Sequence, residues 1–454
     1  MMRPMMEMLQ NASGRLSLHM PGAQGQGPFG SIDPYELDTT EISLTDDLYK
    51  PTGAIQRAQE LAAKSAGAAH TLMLSGGSTA GMHAMLLYAA CKGEKVILPR
   101  NVHISAVHLC AVAGLTPVFV PVSYTPQGRP YLTAEQYERT MEEHPDAKAV
   151  LVLSPDYYGT LGTVGETAKL AHERGMLLLC DEAHGAAMNW IHPENSAIRQ
   201  GADLVVQSAH KTLPALTAGA WLHAADTIDH ALLLRRLRMV QTSSPSFITM
   251  LSLDDARAWM DEHGRQAGAD LLQALKDFRI KAAGLGYTDG QAGLPKAVKS
   301  DPLRLVLDAP QGGFRLEEQL EEMGIDVELS DACGVGCILS LRDGAHRLER
   351  LLSALERIPA TADATAKAPT PPAIPPRAMP LDQAAFAPTE AVTIAQAAGR
   401  VSAGQVGLYP PGVAVLTAGE TITPEIAGWL SAMPRNRLFG LDENGMLICV
   451  KEGV

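Results

Sequence analysis

The chain has 454 residues, 46% of them hydrophobic, and a formal net charge of −13. That is enough apolar material for roughly two or three domains, and the acidic balance excludes a general nucleic-acid binder. No run of about eighteen apolar residues occurs, so no membrane span is expected. The Met-rich start lacks the apolar core and cleavage site of a signal peptide, and a soluble, cytoplasmic protein is expected. The six cysteines read as small core residues; Cys333 and Cys337 have neither a histidine nor a second cysteine pair beside them, and no metal site is expected.

From about residue 52 to 220, helical and strand patterns alternate. The spacing predicts helices over Gly53–Ser65 and Thr79–Cys91, then a strand over Val96–Leu98. A helix over Ser105–Ala113, a strand over Pro117–Val122 and a helix over Ala134–Glu143 follow. Next come a buried strand over Ala149–Leu153, a helix over Glu166–Arg174 and strands over Met176–Cys180 and Ala202–Val206. Short apolar runs separated by amphipathic helices imply βαβ units and a mainly parallel sheet. Ligands then bind beyond the carboxyl ends of the strands, where Ser154, Asp181 and Ser208 fall.

A second unit reads as strand Leu303–Leu307, helix Gly312–Met323, strands Asp326–Ser330 and Cys337–Leu341, and helix Ala345–Leu355. The boundaries expected are an N-terminal arm (1–45), a large domain (46–285), a small α+β domain (286–358), a Pro-rich, poorly ordered linker (359–380) and a C-terminal domain (381–454).

The chemistry concentrates in Ser208-Ala209-His210-Lys211-Thr212-Leu213, with Asp181-Glu182-Ala183-His184-Gly185 upstream. A lysine between polar neighbours after an apolar strand suits a pyridoxal phosphate (PLP) enzyme, in which Lys211 forms the Schiff base. Alone, such a lysine reads as a surface residue at a strand end. Asp181, at the end of a buried strand, must be paired, and the pyridine nitrogen supplies the partner; a helix N-cap is the bland alternative. Ser75-Gly76-Gly77-Ser78-Thr79 precedes a helix, where glycines, hydroxyls and N–H groups bind an anion. Ser78, Thr79, Ser208 and His210 are the candidate phosphate ligands. His103 is a candidate for stacking on the ring, and His184 for steadying Asp181 or the phenolic oxygen.

In order along the chain, these motifs resemble the bacterial Orn/Lys/Arg decarboxylase family. The resemblance rests also on Arg100-Asn101-x-His103, Ser154-Pro155-x-Tyr157-Tyr158-Gly159, Ser243-Ser244-Pro245-Ser246-Phe247, Gly399-Arg400 and Tyr409-Pro410-Pro411-Gly412 with Gly419-Glu420. It implies an α/β protein of PLP fold type I. The large domain would be aspartate-aminotransferase-like with a mainly parallel sheet, joined to a small α+β domain and a C-terminal α+β domain. The chain is similar to the short members, which lack a receiver-like N-terminal domain.

The resemblance implies PLP on Lys211, Asp181 at the pyridine nitrogen and His103 over the ring. The activity implied is α-decarboxylation of arginine, lysine or ornithine. The protein would be a homodimer or a multiple of dimers with shared active sites, Ser243 and Ser244 reaching the partner's cofactor. Lys211 and His210 are the candidates for returning a proton to Cα, and Glu41, Asp47 and Glu420 for receiving the substrate's distal cation. The sequence departs from the family pattern at Ser75-Gly76-Gly77, Asp156, Ala187 and Ala218. Another fold-type-I enzyme, such as an aminotransferase or lyase, and a weakly active regulatory homologue are the alternatives.

Overall fold

The computed structural model describes residues 14–24, 27, 32–42, 44–358, 370–409 and 412–453, together with Pro4, Met5 and Met8. A seven-stranded sheet forms the centre of the large domain. Its strands are β1 (His70–Leu74), β2 (Lys95–Pro99), β3 (Thr116–Val120), β4 (Ala149–Leu153), β5 (Leu177–Asp181), β6 (Leu204–Gln207) and β7 (Ala220–Ala224). They lie in the order β1-β7-β6-β5-β4-β2-β3. β2 to β6 run parallel, and β7 runs antiparallel to both of its neighbours. β4, β5 and β6 are buried on both faces, so they read as continuous apolar runs rather than alternating ones.

The sequence reading missed β1 and β7. Both carry polar residues in the core: Thr71 and His223 face each other across the two strands. His223 Nδ1 accepts from Thr71 Oγ1 at 2.7 Å, and its Nε2–H donates to Gln207 Oε1 at 3.0 Å. A buried, fully bonded histidine interrupts the apolar pattern without costing the strand its place.

Helix α1 (Gly77–Ala90) shows why the sheet's carboxyl edge can hold a ligand. A Cβ on Gly81 would lie 2.5 Å from Val206 Cγ2, so this glycine lets the helix settle directly on β6. The helix N-terminus is thereby brought over the strand ends. A 38-residue helix, α2 (Phe247–Gly284), runs from the large domain towards the small one. Ser246 Oγ caps its start by accepting from Thr249 N.

The small domain carries a four-stranded antiparallel sheet, Thr288–Asp289, Leu305–Asp308, Gly334–Cys337 and Leu329–Ser330 in spatial order. Two expectations are corrected here. The stretch 326–330 is split: Ile325–Val327 pairs in parallel with Leu16–Leu18 of the N-terminal arm, while Leu329–Ser330 joins the sheet. The strand expected over Cys337–Leu341 ends at Cys337, because Ile338 N turns to donate to Leu18 O at 2.8 Å.

Of the expected linker, 359–369 lies outside the described residues, as do Pro410 and Pro411. The remainder is held in place: Ala378 N donates to Gly419 O, Thr421 N to Pro376 O and Arg377 Nη1 to Ala418 O. The C-terminal domain docks through a buried ion pair. Arg100, directly after β2, reaches both carboxylate oxygens of Glu420 at 2.8 and 2.7 Å and donates to Ala414 O.

Candidate active site

A cavity of about 480 Å³ opens at the carboxyl ends of the parallel strands. Its lining brings together Ser78, Thr79, His103, Asp181, His184, Ser208, His210 and Lys211, all of them singled out from sequence. Asp181 ends β5 in register with Val206 of β6, and Ser208 follows β6 by one residue. Adjacent strand ends therefore deliver the carboxylate and the lysine turn to the same wall.

Ser208 Oγ is fully buried and has no partner among the described residues, although it lines the cavity. An orphaned hydroxyl in that position costs free energy unless a ligand satisfies it. Opposite stand Ser78 and Thr79 in the first turn of α1, whose N-cap, Gly76, offers no side chain. Open N–H groups, hydroxyls and an unsatisfied Ser208 fit a phosphate. Asp181 Oδ1 accepts from Ala183 N at 3.1 Å, which anchors the carboxylate against the cavity. The donor set thus fits PLP: lysine, anion cradle and buried aspartate share one cavity.

The histidines have assignable tautomers. His103 Nδ1 accepts from Ser105 N at 3.2 Å, leaving hydrogen on Nε2, and burial lowers its pKa while Asp181 opposes the shift. His210 Nδ1 donates to Gly219 O at 3.0 Å, which leaves Nε2 as the free ring nitrogen; burial lowers its pKa as well. His184 Nε2 lies 3.0 Å from Lys211 Nζ and its Nδ1 3.0 Å from Arg304 Nη2. Burial, with Lys211, Arg304, His103 and His210 around it, holds its pKa well below the usual histidine value. Burial also lowers Lys211, against the pull of Asp181 and Glu328.

The other wall comes from distant segments: Met20 of the arm, Tyr157 after β4, and Gln405, Tyr409 and Phe439 of the C-terminal domain. Tyr157 OH donates to Glu328 Oε1 at 2.9 Å and lies 3.1 Å from Tyr409 OH, while Met20 N donates to Glu328 Oε2. The arm is seated on the lysine turn, since Gly22 N donates to His210 O at 2.7 Å. Sequence reasoning missed Glu328, because nothing around it forms a motif; its neighbours are assembled by folding.

Other expected residues fall elsewhere. Glu420 is paired with Arg100 and Arg377 and is not on the wall of the cavity. Glu41, Asp47, Ser243 and Ser244 are not on the wall of the cavity; Ser243 and Ser244 are exposed on the chain's surface. Ala187 and Thr212 border a separate cavity of about 20 Å³ beside Arg304. Ala218 takes a left-handed φ of 72° and accepts from Gly77 N, which fixes the start of α1. Among the described residues no group of three or more His, Cys, Asp or Glu is placed to hold a metal ion, and no helix is long and apolar enough to cross a membrane.

Residues 34–292 match the model of the Orn/Lys/Arg decarboxylase major domain, and residues 359–437 that of the family's C-terminal domain. The chain belongs to the Orn/Lys/Arg decarboxylase family. This is a class of PLP-dependent amino-acid decarboxylases. The chain is 32% identical over 435 residues to an arginine decarboxylase of Bacillus subtilis, covering 90% of this chain and 89% of that one. It is 33% identical over 440 residues to the uncharacterized protein YaaO of the same organism, covering 92% and 91%. Its fold is similar to that of the constitutive lysine decarboxylase of E. coli, with a TM-score of 0.77 at 19% identity, over 93% of this chain and 76% of that one. That fold is PLP fold type I, α/β with a mostly parallel central sheet and an added C-terminal domain.

Proposed function

We propose that the protein carries out PLP-dependent α-decarboxylation of a basic amino acid, with arginine first among arginine, lysine and ornithine. The observation that carries this reading is the shared cavity of Lys211, Asp181 and the orphaned Ser208 hydroxyl, with a carboxylate, Glu328, held behind its lining by Tyr157 and Met20. Similarity to arginine decarboxylases supports putting arginine ahead of the other two.

PLP, when bound, supplies an electron sink for the pair released as carbon dioxide leaves Cα. Lys211 Nζ is the atom that would hold it, Asp181 the partner of its ring nitrogen, His103 the group over the ring. Ser78, Thr79, Ser208 and His210 would hold its phosphate. Lys211 Nζ and His210 Nε2 are assigned the holding of the proton that Cα then needs. Glu328 supports recognition of the distal ammonium or guanidinium: both its oxygens are already oriented, by Tyr157 OH and Met20 N, and its charge reaches Lys211. Exposed Ser243 and Ser244 suit a contact with a second copy of the chain, as a shared active site in a dimer requires.

The test is to incubate the PLP-loaded protein with arginine, lysine and ornithine separately and to assay carbon dioxide and amine, with Lys211→Ala beside it. One amine made by the wild type and lost in the variant names the substrate. No amine from any of the three, from protein showing bound PLP by its absorbance, overturns the reading in favour of a non-catalytic homologue or another PLP reaction.

A further inference from the structure

Arg304 is a buried guanidinium, 3% exposed, close to the partly buried amine of Lys211, and the two are joined through one imidazole. We propose that Arg304 is a positioning residue: by donating to His184 Nδ1 it fixes the Nε2–H tautomer, and Nε2–H in turn holds Lys211 as the neutral, nucleophilic amine. The proposal rests on the reading of Lys211 as the cofactor lysine.

The donor logic leaves one solution. Arginine keeps its charge throughout the working pH range and has N–H groups alone to offer. At 3.0 Å from Arg304 Nη2, His184 Nδ1 must therefore accept. A doubly protonated ring would set an N–H against the guanidinium, and a neutral ring whose Nδ1 accepts carries its hydrogen on Nε2. That hydrogen points at Lys211 Nζ, 3.0 Å away. A free amine has a lone pair to receive it; an ammonium has none and would present N–H to N–H. The amine form is also the one that attacks a carbonyl.

The other groups around the pair are consistent with this arrangement. Asp181 and Glu328 draw Lys211 towards the ammonium, and burial and Arg304 draw it away. His103 and His210 face His184 from the neighbouring turns and disfavour its protonation. Burial raises the pKa of two further carboxyl groups, Asp156 and Asp301, and the charge of Arg304 opposes the shift in both. Arg279 donates to the Arg304 carbonyl at 2.9 Å, which holds the backbone that presents the guanidinium. His184 is thus restrained on both ring nitrogens, and Tyr157 packs edge-on against its face at 5.6 Å.

The experiment is competitive acetylation of the cofactor-free protein with acetic anhydride from neutral to strongly alkaline pH. The extent at Lys211 is read by peptide mass spectrometry against exposed Lys451. In the wild type Lys211 becomes reactive at lower pH than Lys451. Arg304→Met, which has no donor, shifts the Lys211 midpoint upward by about one unit, a roughly tenfold loss of reactivity at neutral pH. Arg304→Lys, which still donates to Nδ1, keeps the wild-type profile, a rescue that a purely packing role would not produce. His184→Phe raises the midpoint as Arg304→Met does, and decides the matter if Arg304→Met fails to fold. A wild-type midpoint in folded Arg304→Met or in His184→Phe overturns the proposal. Because the readout needs neither cofactor nor turnover, it is separate from the decarboxylase reading, which stands or falls on amine production.

Discussion

The two walls of the cavity are built in different ways. On one, Asp181, His184, Ser208 and Lys211 sit at the ends of neighbouring strands whose register is set by the central sheet. On the other, Met20, Gln405, Tyr409 and Phe439 come from opposite ends of the chain, and Met20 and Tyr409 meet Glu328 and Tyr157 there. The first wall is fixed by the pairing of adjacent strands, which suits groups that must be held against reacting atoms. The second depends on the docking of the arm and the C-terminal domain, and suits selection of what enters. Substitutions on the first should therefore act on kcat, and on the second mainly on KM.

The largest effect is expected at the centre of the first wall. Lys211→Ala should lower amine production by more than about 10³-fold, since both the cofactor anchor and a proton-holding group are lost. Substrate binding, followed by calorimetry, should change much less; an equal loss of binding would erase the distinction between the walls. Next comes Glu328→Gln, behind the second wall. It keeps the hydrogen bond from Tyr157 but loses the charge, and KM should rise about 10- to 100-fold, equivalent to about 1.4–2.7 kcal/mol, with kcat little altered. A fall in kcat alone would move Glu328 from recognition to chemistry.

The support beneath the first wall has its own signature. His223 is buried between Thr71 and Gln207, and burial lowers its pKa to about 3. A base whose folded pKa is depressed binds its proton in the unfolded chain first. Its contribution is intact above the unfolded value of about 6.5 and is lost as pH falls below it, at up to about 1.4 kcal/mol per pH unit. Denaturant unfolding followed through that range should show this slope, and His223→Gln should flatten it. An unchanged slope would mean that other groups, such as His184, govern the acid sensitivity.

The difference between the walls also explains what was legible in the sequence. The parallel strands and most helices between 52 and 220 announce themselves, because fully buried strands are apolar throughout and their helices are amphipathic. β1 and β7 did not, because Thr71 and His223 satisfy each other across the sheet rather than avoid the core. The first-wall residues follow strand ends and stand in recognisable runs, so position and chemistry could be read together. Glu328 and Arg304 belong to no run: each gains its meaning from a partner more than a hundred residues away, Tyr157 for the one and His184 for the other. Glu420, by contrast, looked like a free carboxylate until the fold placed Arg100 beside it.

The smallest effect is the most discriminating. Tyr409→Phe removes one hydroxyl from the second wall, 3.1 Å from Tyr157 OH, and leaves the Tyr157–Glu328 bond in place. A net hydrogen bond contributes about 0.5–1.5 kcal/mol, so KM should rise roughly 2- to 12-fold at constant kcat. The lost hydroxyl orients Tyr157, and Tyr157 also packs edge-on against His184 of the first wall. If kcat falls together with the rise in KM, the two walls are coupled through that ring, and the C-terminal domain contributes to chemistry as well as to selection.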